Sequence, residues 1–237
     1  MNLRELTDRE LFREMQRRMK CEDMPRGRVL LIGPPGSGKS TLASKVSEDF
    51  CWCHVSHSSL LKKEFQRKVA IKGWAADEEE IQLHVQLDLI SKMLKTPECA
   101  RGAVLEGFPQ NPEQAIGFAQ KMQQEGLNLD KLVTLQGDDQ IFIERLNKRE
   151  VHRPSGRVYG LHSPSKLPGI DDITGEPLSK RADDGARTIQ ARFQKYKAYY
   201  YQLKNILSNT PSFSINAEKD QEQCLVEFKK HFPEEFN

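Results

Sequence analysis

Eight consecutive residues, Gly33-Pro34-Pro35-Gly36-Ser37-Gly38-Lys39-Ser40, fit the pattern G-x-x-x-x-G-K-[ST]. The chemistry of that spacing is the holding of a polyphosphate. Glycines let successive backbone N–H groups curl around phosphate oxygens, and the N-terminus of a following helix adds positive potential. Lys39 then reaches the β- and γ-phosphates while Ser40 faces Mg²⁺. A glycine turn without a ligand would leave the lysine unexplained. Gly33, Gly36, Ser37, Gly38, Lys39, Ser40 and Thr41 are therefore the candidate phosphate-binding residues. Glu106 closes the segment AVLE, and a carboxylate at the carboxyl end of a parallel strand faces the nucleotide crevice, where it would hold Mg²⁺ through water. GTPases, ATPases and nucleotide kinases share such a loop, so the rest of the chain has to distinguish them.

The elements that must carry these residues follow from hydrophobic patterning. RVLLIG, ending in the glycine-rich turn, reads as a buried strand, and similar segments occur at 51–56, 103–105, 132–135 and 213–215. Polar stretches with helical periodicity separate them, which predicts an α/β fold with a five-stranded parallel sheet and helices on both faces. Thr7-Asp8-Arg9-Glu10 matches a capping box, and Leu11, Phe12, Met15 and Met19 follow at helical spacing on one face. Ile189, Phe193, Tyr196, Tyr200, Leu203 and Leu207 mark a later helix, docked on the sheet rather than in a coiled coil. From about 149 to 184 glycines and prolines punctuate a polar stretch too long for a connecting loop; interspersed Val158, Tyr159, Leu161, Ile170 and Ile173 predict a small folded lid.

Composition narrows the classes further. In 237 residues, 36 basic and 34 acidic side chains leave a net charge of +2, and no basic patch with interleaved aromatics appears, which argues against nucleic acid as a partner. Apolar runs such as Val29 to Ile32 are far shorter than the roughly 20 residues of a membrane-spanning helix, so no membrane is expected. The opening MNLRELTDRE lacks the apolar stretch of a secretory signal, and the expected address is cytoplasmic. Cys21, Cys51, Cys53, Cys99 and Cys224 are odd in number and scattered, which predicts reduced, mostly buried thiols.

Several motifs together resemble the adenylate kinase family in its eukaryotic long-lid form. MKCEDMPRGRVLLIGPPGSGKST is similar to that family's opening, and VHRPSGRVYG followed by DDITGEPLSKRADD to its long lid. GFPQNPEQA and IFIERLNKR resemble its glutamine-bearing acceptor element and its paired-arginine helix. The resemblance implies a P-loop nucleoside monophosphate kinase core over 26–237, an N-terminal helix over 1–25 packed on it, an acceptor-binding insert at about 56–85 and a lid at about 149–184. It implies reversible transfer of a phosphoryl group from MgATP to AMP, and a monomer is the expected state. Arg145 would cover the ATP base, Arg149 would hold the ATP phosphates with Val158 and Tyr159 in the lid, and Arg181 and Arg192 would bridge the two nucleotides. Lys39, Arg149, Arg181 and Arg192 form the expected catalytic set, because a charge-spread transition state needs positive donors around it. Gly107 and Gln114 would meet the acceptor. His152, Ser155, Asp171 and Thr174 stand where some relatives carry zinc cysteines, and hydrogen bonds among them would hold the lid without zinc. Asp183 and Asp184 match the lid's closing hinge pair.

The acceptor side departs from the family pattern. His57-Ser58-Ser59 replaces Thr-Gly-Asp, Lys62 and Gln110 replace arginines, and Asp77 or Leu83 stands for an aspartate. Without the bidentate forks of two arginines, AMP binding should be weakened. A protonated His57 would contact the acceptor phosphate; alternatively, the histidine packs at the strand end. A kinase for another nucleoside monophosphate, or a catalytically impaired nucleotide sensor or scaffold, are the alternative readings.

Overall fold

The computed structural model describes residues 7, 15, 19, 21–22, 24–72, 81–181 and 184–232. RVLLI forms β1 (Gly27–Ile32), with Val29 to Ile32 at most 5% exposed. Strands β2 (Cys53–Ser56), β3 (Gly102–Glu106), β4 (Lys131–Gln136) and β7 (Ser212–Asn216) complete a five-stranded sheet in the order β2-β3-β1-β4-β7, parallel throughout. A parallel sheet buries both faces, so alternate residues of β1 serve two cores. Val29 and Leu31 join Val46, Phe142, Phe193 and Phe228, whereas Leu30 and Ile32 join Ile90, Phe118 and Leu132.

Seven helices occur among the described residues: α1 (Lys39–Phe50), α2 (His57–Lys72), α3 (Leu83–Leu94), α4 (Pro112–Gln124), α5 (Asp139–Lys148), α6 (Ala186–Ile206) and α7 (Gln221–Lys229). Ile189 and Phe193 of α6 are buried in the core shared with Val29 and Leu31, and Leu203 is buried as well, in keeping with a helix docked on the sheet. Asn111, Asp138 and Asp220 cap α4, α5 and α7 by accepting backbone N–H bonds. The expected N-terminal helix lies mostly outside the described residues, as do Leu11, Phe12, Asp77 and Asp183. Met15 and Met19 are helical but 54% and 66% exposed, so these two side chains are not core residues.

The expectation of reduced thiols is corrected by the structure. Cys21 is bonded to Cys51 and Cys53 to Cys99; Cys224 alone is a free, buried thiol among the described residues. Scattered spacing hid the Cys53–Cys99 pair because the sheet makes that contact: β2 and β3 pair with Cys53 opposite Ala103, and Cys99 lies just before β3. Between the two cross-links sits Trp52, whose indole N–H donates to the Pro25 carbonyl. Its ring also explains Gly102, since a Cβ there would lie 2.5 Å from the indole. Closing a loop across a sequence separation of 46 removes entropy from the unfolded chain. Cys53→Ser with Cys99→Ser is therefore expected to lower stability by roughly 2–4 kcal/mol in non-reducing urea titrations; an unchanged midpoint and slope would refute that role.

Candidate active site

The carboxyl ends of β1, β3 and β4 open into a cavity of about 730 Å³. The loop from Gly33 to Lys39 forms its floor. Gly36 has φ 77°, and a Cβ on it would lie 2.4 Å from the Phe142 carbonyl, so close approach of the loop to α5 demands glycine. Gly38, at φ 87°, caps α1, whose first turn carries no acidic residue and leaves the positive helix end facing the cavity. The Lys39 ammonium donates to the Gly33 and Pro34 carbonyls at 2.8 Å. Burial pulls its pKa down to about 8, opposed by the nearby Glu106 carboxylate and assisted by Arg192 and Arg149.

Glu106 is 6% exposed and lines the same cavity. Burial alone would push its carboxyl up, but His54 and Ser56 beside it, with the Lys39 charge, hold it below its ordinary value. Sheet register explains the placement, since Ser56 is the Cα partner of Glu106. Ser40 and Glu106, which line the cavity with Lys39, supply hard oxygen donors, a set that fits Mg²⁺.

Arg149, Arg181 and Arg192 all line the cavity. Arg149 forks onto Asp184, with Nε 2.8 Å from one carboxylate oxygen; that carboxylate is fully buried, and Arg192 reaches it at 4.0 Å. Arg145, at the opposite end, is fixed on three sides: Nη1 and Nη2 donate to the Ala217 and Glu218 carbonyls, and Nε to His162. A guanidinium so held presents a flat plate to an aromatic base.

The lid is built on β5 (Glu150–His152) and β6 (Arg157–Tyr159), an antiparallel pair extended by a bridge from Val151 to Ser179. His152 contacts Ser155 and Glu176 at 2.6 Å and Thr174 at 3.3 Å. Asp171 takes a bidentate pair from Arg157, the Tyr159 hydroxyl at 2.9 Å and the Thr174 backbone N–H at 2.8 Å. The Arg157 pair, reinforced by Thr174 and Tyr159, holds the Asp171 carboxyl far below the usual carboxylate range. Of these, Arg157 and Glu176 escaped the sequence reading; the Asp171-x-x-Thr174-Gly175 spacing, an Asx-turn signature, was the available signal for the turn they brace. His162 was also missed, and no spacing rule links it to Arg145.

The acceptor residues are only partly brought together. Gly107 and Gln110 line the cavity beside Arg181 and Arg192, as do Val158 and Tyr159 on the lid side. His57, Lys62 and Gln114 do not. Lys62 is exposed on α2. Gln110 folds back, donating through its amide to the Gly107 carbonyl and through its backbone N–H to the Gln114 side-chain oxygen. His57 is 5% exposed, its ring packed 4.8 Å from Phe108 and its Nε2 3.0 Å from the Gln86 amide oxygen. Burial pulls its pKa down, which favours the packed neutral ring over a phosphate-binding imidazolium.

A phosphate loop on a five-stranded parallel sheet, with Arg149, Arg181 and Arg192 lining the cavity beside it, is the arrangement of a P-loop nucleoside monophosphate kinase. A family model described as Adenylate kinase matches residues 31–209. Adenylate kinase 4 of Oryza sativa subsp. japonica is 33% identical over 241 residues, covering 97% of each chain. Adenylate kinase 4 of Arabidopsis thaliana is 35% identical over 232 residues, covering 93% of this chain and 92% of its own. This chain belongs to the adenylate kinase family.

Two substitutions test the site. Lys39→Met is expected to lower kcat by at least a hundredfold with the thermal transition retained, since it removes the buried charge on the transferring group; more than a tenth of wild-type turnover would contradict the assignment. Because the folded Asp171 pKa is depressed, its contribution is complete above about pH 4, the unfolded value, and is lost only as pH falls toward the folded one. Asp171→Asn should therefore speed amide exchange across the lid at pH 7, and unchanged exchange would show that this network does not hold it.

Proposed function

We propose that the protein catalyses reversible transfer of the γ-phosphoryl of MgATP to AMP, giving two ADP, with a weaker hold on AMP than on ATP. What carries the reading is the asymmetry of the cavity: Lys39, Arg145 and Arg149 furnish the donor side, while Lys62 lies outside it and Gln110 offers no charge. Arg145 would stack on the ATP base, and Arg149 would hold its phosphates under the lid. Arg181 and Arg192 would lie between the nucleotides, where an AMP phosphate oxygen attacks and the β–γ bridging oxygen leaves. Ser40 and Glu106 would hold Mg²⁺, which when bound neutralises charge on the β- and γ-oxygens. No covalent enzyme intermediate is needed. Lid closure would exclude water that would otherwise hydrolyse ATP.

The same asymmetry supports a second reading, a kinase for another nucleoside monophosphate. A coupled assay of ATP against AMP, GMP, CMP and UMP distinguishes the two, and binding of ATP with no transfer to any acceptor would leave a sensor or scaffold. Hydrogen bonds to charged groups contribute roughly 1.5–3 kcal/mol, so Gln110→Arg is expected to lower the KM for AMP about tenfold or more while that for ATP stays put. An unchanged AMP KM in an active variant would remove Gln110 from the acceptor site. A monomeric state and a cytoplasmic address belong to the same proposal. Disulfides persist in oxidising surroundings, so intact Cys21–Cys51 and Cys53–Cys99 bonds in protein alkylated on extraction would overturn the cytoplasmic address.

A further inference from the structure

Arg149 and Arg181 stand at opposite ends of the lid segment, yet both line the cavity. The two ends run side by side and antiparallel, with the Val151 and Ser179 N–H groups each donating to the other's carbonyl. Lys180, between Ser179 and Arg181, does not line the cavity. Its ammonium turns instead to the end of α5, donating to the Asn147 carbonyl at 2.5 Å and to the Arg149 carbonyl at 3.1 Å. Carbonyls of a last helical turn lack donors within the helix, and a cation there also suits the helix dipole. The far side of Arg181 is held as well. The Asp184 N–H donates to the Arg181 carbonyl at 3.1 Å, and the Asp184 carboxylate takes the Arg149 guanidinium fork. Two pins therefore land on Arg149, one on its carbonyl and one on its side chain, with Arg181 between them.

The two pins answer differently to a nucleotide. A phosphate competes with Asp184 for the Arg149 guanidinium, whereas the Arg149 carbonyl is an acceptor and has nothing to offer an anion. We propose that Lys180 is a positioning residue for phosphoryl transfer, its ammonium bridging the Asn147 and Arg149 carbonyls so that Arg181 keeps its place beside Arg149 when phosphate draws the Arg149 fork off Asp184. This rests on the phosphotransferase reading above and deepens it. Lys180 touches no nucleotide and acts through the two arginines. Catalysis by placed charge is sensitive to small displacements, a misplacement of about 1 Å costing on the order of a hundredfold. ATP itself is gripped by the phosphate loop, Lys39 and Arg145, so loss of the Lys180 pin falls on the transition state rather than on ATP binding. Methionine at 180 keeps an apolar stem of similar length and removes every donor, whereas arginine keeps the charge and donors for both carbonyls.

The test compares the full chain as wild type, Lys180→Met and Lys180→Arg, with MgATP as donor and AMP as acceptor. Lys180→Met is expected to lower kcat by about tenfold or more, with the KM for ATP within about threefold of wild type and the thermal transition retained. Lys180→Arg is expected to bring kcat back to within about threefold of wild type. A smaller fall in Lys180→Met, a loss carried by the KM for ATP, or a loss that Lys180→Arg does not restore would overturn the proposal while leaving the kinase reading intact. If ATP binds but wild type transfers phosphate to no nucleoside monophosphate, both fall together. Should Lys180→Met fail to fold, ¹⁵N spectra of the wild-type lysine ammonium groups decide. A slowly exchanging Lys180 Nζ signal that persists at saturating MgATP and AMP is the expected result, and its absence or its loss on adding nucleotide would overturn the proposal.

Discussion

The arrangement of the site turns on holding a cation, the Lys39 ammonium, inside the protein beside the phosphate loop. A buried charge is tolerated only with partners, and Lys39 finds them in the two loop carbonyls it bridges and in the field of Glu106. Those partners exist because β1 and β3 are adjacent and parallel, which brings the phosphate loop and Glu106 to the same carboxyl end of the sheet. Burial of both faces of β1 fixes the loop's position, and the close contact of Gly36 with α5 fixes its distance from the arginines.

The same logic governs the lid. Arg149 begins it and Asp184 ends it, and their ion pair ties the two ends of a segment that carries its own internal network around Asp171. Opposing electrostatic demands meet at its hinge. The Asp184 carboxylate holds Arg149 in place before nucleotide arrives, while phosphate is a competing acceptor for the same guanidinium fork.

Much of this was legible in the sequence, for physical reasons that differ by element. The phosphate loop announces itself because its chemistry requires consecutive residues, and β1 because a strand buried on both faces has no polar alternation. Resemblance, not spacing, points to Arg149, Arg181 and Arg192, and all three line the cavity. Contacts between elements distant in sequence escaped. The Cys53–Cys99 pair depends on the neighbouring of β2 and β3, and the fixing of Arg145 depends on a lid residue, His162. On the acceptor side, His57, expected to meet the acceptor phosphate or to pack at the strand end, directly follows β2, and its orientation toward Gln86 rather than the cavity is set by α3, which the sequence does not locate relative to β2.

The central claim is that two nucleotides meet across the Arg181–Arg192 pair and exchange a phosphoryl group without passing through water. Phosphorus NMR of the purified protein given only MgADP measures this most directly. ATP and AMP appearing in equal amounts, with no growth of inorganic phosphate, is the predicted result. ADP remaining untouched, or AMP rising together with free phosphate, would contradict it.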